Sequence, residues 1–222
     1  MKIFEAAKDN DISTISSILL SQPEEINNVN QKGDTALHFA VGYDNIEIAT
    51  LLLERGATIE AVDVYGHTPL HKSVIQGNVE MVELLSKNNK TINLRDKNGM
   101  TPLHWASLSS NTDILDTLYK YSADTSMLDS EGNSPLHLAV SATKLENVKW
   151  LVEHKVQLSL KNNKGLTSLH IAVSNANISI IRFLLKYAKD FELLDEEWIF
   201  LENEAIQNGN GLISKLLKQV EN

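Results

Sequence analysis

The chain has 222 residues, 42% of them apolar, a formal net charge of -9 and no cysteine. That apolar share suffices for a packed core. The acidic balance disfavours non-specific attachment to nucleic acid or to an anionic membrane, and the missing thiols exclude disulfides, thiolate nucleophiles and thiolate zinc sites together. A cytoplasmic, intracellular protein is the expectation: Glu5 and Asp9 come too early for a secretory core, and no stretch approaches the roughly 18 apolar residues of a membrane span.

In chain order, residues 1–30 carry apolar positions at Phe4 and Ala7, and then Ile18, Leu19 and Leu20, which are expected to form the core of a second helix. One phrase then recurs: GDTALHFAV from Gly33, GHTPLHKSV from Gly66, GMTPLHWAS from Gly99, GNSPLHLAV from Gly132 and GLTSLHIAV from Gly165. The five glycines step by 33, as do Leu37, Leu70, Leu103, Leu136 and Leu169, and His38, His71, His104, His137 and His170. A fixed period of this length implies one supersecondary unit per repeat, each burying its apolar face against the next. Within the second unit, Thr68 offers an N-cap oxygen, Pro69 stands at the first helical position and Gly77 ends a short helix. Asn78 opens a second helix with Val79, Val82 and Leu85 on one side and Met81 and Leu84 flanking them. The chain then runs extended through TINLRD into the Asn98-Gly99 turn.

The unit resembles the ankyrin repeat, whose Gly-x-Thr-Pro-Leu-His-x-Ala signature is matched closely at Gly66 to Ser73 and Gly99 to Ala106. The resemblance implies a β-hairpin or turn and two antiparallel helices per unit, stacked as an all-α-dominated solenoid. It implies one domain over 1–222: an N-terminal capping repeat at 1–30, full repeats at 31–63, 64–96, 97–129, 130–162 and 163–195, and a C-terminal capping repeat at 196–222. In the last of these Ala205, Leu216 and Leu217 keep register, while Trp198 replaces the glycine and Asn203 the histidine. The acidic run from Asp190 to Glu204, with seven carboxylates, reads as the solvated face of that cap, or else as a dock for a basic partner.

Five histidines in a row invite a metal reading, but helices pack about 8–10 Å apart whereas shared zinc needs each nitrogen within about 2.1 Å. Each histidine instead reads as a hydrogen-bonding group for its own helix start and the adjacent turn. Gly209-Asn210-Gly211 lacks the strand and the Gly-Lys-Ser/Thr of a phosphate loop, and no serine has a nucleophile-elbow neighbourhood. No cofactor, metal or catalytic residue is expected.

Function is therefore sought where the units differ, at the turn tips and first-helix ends. By resemblance these line the concave face. Tyr43, Val64, Tyr65, His67, Ile75, Gln76, Met100, Trp105 and Leu108 are the candidate partner-binding residues, an apolar centre of the kind found in interface hot spots. The outer helices, with Thr117 among their surface positions, are the contrasting face. The expectation is a monomeric, non-enzymatic adaptor that binds another protein and neither nucleic acid nor membrane. A proteasome-assembly chaperone, or a bacterial effector acting on host proteins given the 21 asparagines of an AT-rich style of coding, are the alternatives; a hidden enzyme is the outsider.

Overall fold

The computed structural model describes residues 2–219; Met1 and residues 220–222, the extremes of the two capping repeats, lie outside them. Helices come in pairs: α1 (Lys2–Lys8) with α2 (Ile12–Ser21), α3 (Ala36–Gly42) with α4 (Ile46–Glu54), and α5 (Pro69–Gln76) with α6 (Val79–Ser86). Next are α7 (Pro102–Leu108) with α8 (Thr112–Lys120), α9 (Pro135–Ser141) with α10 (Leu145–Glu153), and α11 (Ser168–Ser174) with α12 (Ile178–Leu184). A longer α13 (Asp195–Gln207) and α14 (Gly211–Lys218) end the series. There is no strand among the described residues, so the connecting segments are turns. The stretch expected to run extended through TINLRD begins with a 3-10 turn at Asn89–Thr91.

The architecture is an all-α repeat array whose described residues fall into two compact units. One runs to Ala106 and adds Asp113–Asp124; the other takes Ser107–Thr112 and the chain from Thr125 onward. In the first unit α1 packs on α3, α3 on α5, and α4 on α6; in the second α9 packs on α11, α11 on α13, and α12 on α14. The repeated leucine is the anchor of each first helix. Leu37, Leu70, Leu103, Leu136 and Leu169 are all at most 2% exposed, each contributing about 2 kcal/mol of apolar burial.

Two sequence expectations are corrected by helical phase. In α2 the buried residues are Ile15 and Leu19, one turn apart, which turns Leu20 out to solvent at 79% exposure. In α8 Thr117 is buried beside Leu118, and its hydroxyl donates to the Asp113 carbonyl at 2.8 Å, so it is no surface position. The last helix pair buries Leu201, Ala205, Ile213 and Leu217, with Leu216 only half-buried, and leaves Leu194, Ile199, Phe200 and Ile206 exposed among its acids.

The link between the two helices of a pair needs a left-handed residue, and it recurs in register at Asp44, Gly77, Thr143, Ala176 and Gly209. Glycine fills it freely, whereas a β-branched residue there is under real steric strain. Thr143, at φ 57, is the most strained of the set. Thr143→Gly is expected to stabilise the second unit by up to about 1 kcal/mol, since relief of the left-handed penalty exceeds glycine's extra chain entropy. A lower denaturation midpoint for the variant would show that Thr143 is not strained.

Candidate interaction surface

The turns between helix pairs form fingers built on one device. Asn30, Asp63, Asp96, Asp129 and Asn162, again 33 apart, each use Oδ1 to accept the N–H groups two and four residues ahead. For Asp63 these are Tyr65 at 2.8 Å and His67 at 2.9 Å; for Asp96 they are Asn98 at 2.8 Å and Met100 at 2.9 Å. The residue's own N–H closes the finger on the carbonyl four ahead, as from Asp63 to His67 at 3.0 Å. Short polar side chains that satisfy local backbone groups favour such turns. Within a unit, neighbouring fingers are joined through the backbone. Val64 N–H donates to the Lys32 carbonyl at 2.8 Å, Lys97 N–H to Tyr65 at 3.1 Å, and Asn163 N–H to Glu131 at 2.9 Å.

All five histidines accept the N-cap N–H of their own first helix, and His38, His71 and His137 also tie that helix to the finger beyond it. Thr68 N–H donates to His71 Nδ1 at 3.2 Å, so the ring proton sits on Nε2 and is donated to the Met100 carbonyl at 3.2 Å. His38 makes the same pair of bonds to Thr35 and the His67 carbonyl, and His137 to Ser134 and the Leu166 carbonyl. Both nitrogens of these rings are therefore engaged by the backbone, with no lone pair left to ligate a metal. Burial lowers the pKa of His38, His71, His137 and His170, that of His71 to about 4.

The first unit brings most of the expected contact residues to its finger side. Tyr43, Val64, Tyr65 and Ile75 are 52%, 43%, 64% and 46% exposed. Gln76 is exposed and donates to the Gly42 carbonyl at 2.7 Å. The half-buried His67 ring lies 5.7 Å from Tyr65 and meets Trp105 edge-on at 5.6 Å. Trp105 is itself half-buried, its Nε1 donating to Asp96 Oδ2 at 3.0 Å. Leu108, half-buried, belongs to the second unit. Met100 does not meet the expectation of exposure: it is 9% exposed. Its N–H and carbonyl are tied to Asp96 and His71, and its flexible apolar side chain is drawn off the solvent side.

Sequence reasoning missed the charges beneath this surface. Lys72 reaches back to Asp34 and sits 3.3 Å from Asp63 Oδ2, while His67 lies 3.7 Å from Asp63 Oδ2 and 3.5 Å from Asp96 Oδ2. Burial raises the Asp63 pKa, but the His67 and Tyr65 N–H groups and the Lys72 ammonium outweigh it and hold the carboxyl below its usual value. The result is a row of partnered polar side chains, Asp34, Lys72, Asp63, His67 and Asp96, running under the exposed aromatics. The 33-residue recurrence of Asn or Asp three places before each glycine was the available signal. Their pairing with Lys72 and Trp105 has no local signature, because the partners lie on other elements.

A family profile described as ankyrin repeats (3 copies) matches the chain at residues 3–96, 56–129, 88–162 and 110–195. Comparison with curated proteins returns no match. The profile takes in the divergent first helix pair and stops before the last one.

Proposed function

This chain belongs to the ankyrin-repeat family, and on that premise we propose that it is a non-enzymatic, cytoplasmic adaptor that holds a partner protein on the finger side of its first unit. Ankyrin repeats are in general protein–protein interaction modules and typically lack catalytic activity. One observation carries the assignment of the surface: Tyr43, Val64, Tyr65 and Ile75 are exposed on a scaffold whose fingers are closed by repeated side-chain and backbone hydrogen bonds. Aromatic side chains held rigid on a preorganised frame supply contact area at low entropic cost. His38, His71 and His137 have both ring nitrogens engaged by backbone groups, which supports a structural rather than a chemical role for them.

The test is affinity capture from native lysate with the full chain and with Tyr65→Glu/Ile75→Glu, alongside thermal melting. Exposed substitutions are expected to shift stability by less than about 0.5 kcal/mol each. Charge at the desolvated centre of an interface is expected to cost more than about 2 kcal/mol, a roughly thirtyfold loss of affinity. Glu80→Lys, exposed on α6, serves as the outer-helix control. Loss of the partner by the control and its retention by the double variant would move the site to the outer helices.

A further inference from the structure

Tyr65 stands at the tip of the second finger with one lysine on each side. Lys32, on the finger before, accepts the Val64 N–H, and Lys97, on the finger after, donates its N–H to the Tyr65 carbonyl. Both lysines are exposed, and neither side chain is in an ion pair among the described residues. The acids of the same fingers face inward or are already partnered. Asp34 is paired with Lys72, and Asp63 and Asp96 are 7% and 6% exposed. In a chain of net charge -9, the charge that this row shows to water is positive.

We propose that the finger row of the first unit receives an extended acidic segment of the partner protein, with an aromatic or aliphatic side chain set between carboxylates. The proposal rests on the binding reading above and adds the partner's chemistry. Carboxylates over Lys32 and Lys97 gain complementary charge at the rim, while the apolar side chain between them packs on Tyr65 and Val64. A basic segment would meet the two ammonium groups first and be repelled. A nucleic acid is a poorer fit, because two exposed ammonium groups flanking an exposed apolar tip match a few carboxylates around an apolar side chain rather than a continuous run of phosphates.

The probe is a fluorescein-labelled random copolymer of glutamate and tyrosine, titrated with the full chain by fluorescence anisotropy. Saturable binding that weakens as salt is raised is expected, since the contributing charges are exposed. Lys32→Glu/Lys97→Glu and, separately, Tyr65→Ser are expected to weaken it about tenfold or more. Lys32→Arg/Lys97→Arg and Lys186→Glu, the latter in the second unit, are expected to leave it unchanged, with melting temperatures matched throughout. Absence of copolymer binding, equal binding by the charge-reversed variant, or tighter binding of a labelled poly-uridylate through the same residues would overturn the proposal. A captured partner that is lost with Tyr65→Glu/Ile75→Glu but kept by Lys32→Glu/Lys97→Glu would leave the surface standing and remove only its acidic specificity.

Discussion

Acidification from pH 7.5 to 5 is expected to destabilise the folded chain steeply, well before its carboxylates titrate. His38, His71, His137 and His170 are all buried, and in each the folded pKa is lowered by burial. The geometry supplies a second reason. Protonation adds a hydrogen at Nδ1, where the Thr or Ser N–H already points in, so the charged ring loses an acceptor and gains a donor facing a donor. In the unfolded chain the same rings protonate near pH 6.5. A depressed folded pKa means that the stabilisation is fully present above about pH 6.5 and is lost as pH falls towards the folded value. His71, with its folded pKa about 4, alone removes on the order of 3 kcal/mol by pH 4, and His38, His137 and His170 act with the same sign. Urea midpoints at pH 7.5, 6 and 5 measure this, and His71→Gln is expected to flatten the pH dependence while lowering stability at pH 7.5. Identical midpoints at pH 7.5 and 5 would refute the account. The lowered carboxyl pKa of Asp63 acts with the same sign but at lower pH, below about 4.

The second large effect separates two glycines that the sequence writes identically. Gly66 and Gly165 have φ of 81 and 75, so alanine at either carries the left-handed penalty of about 1–2 kcal/mol. They differ in what lies above them. A Cβ on Gly66 would fall 2.8 Å from the Lys97 backbone nitrogen and 3.2 Å from Asp96 Cα, whereas a Cβ on Gly165 meets nothing within 4 Å. Gly66→Ala must therefore push the third finger away and weaken the Lys97 to Tyr65 rung. We expect it to cost about 3 kcal/mol or more, with overpacking added to strain. Gly165→Ala is expected to cost only the strain. Equal losses for the two in equilibrium denaturation would show that finger packing does not constrain the glycine.

These cases show where the sequence is transparent. Helix starts, the leucine anchors and the bond of each repeated histidine to its own helix start are legible because their causes lie within a few residues and repeat without interruption. The Asn208–Gly209 turn between α13 and α14 is readable for the same reason. Other features depend on what stands one repeat away. Trp105 is half-buried because Asp96 holds its indole N–H, and Lys72 is not simply a solvated charge because Asp34 and Asp63 surround it. Met100 looks like an exposed apolar tip residue until its backbone is seen to close both a finger and a histidine bond. The surface aromatics were found by asking where the units differ, but the partnered acids beneath them share the repeated position and so were hidden by their regularity.

The backbone rungs between fingers have a mechanical consequence. In the first unit one such bond ties Lys32 to Val64 and another ties Tyr65 to Lys97, and in the second unit one ties Glu131 to Asn163. Along the finger row these rungs act as links in series: a pull applied along the row loads every link equally, and extension begins at whichever gives way first. A repeat that lets go lengthens the row by its own increment while its neighbours keep their internal fingers closed, since each finger is held by its own Asn or Asp. Stretched between two handles on one unit, the chain would yield in discrete steps rather than in one rupture, like a ratchet strap released tooth by tooth.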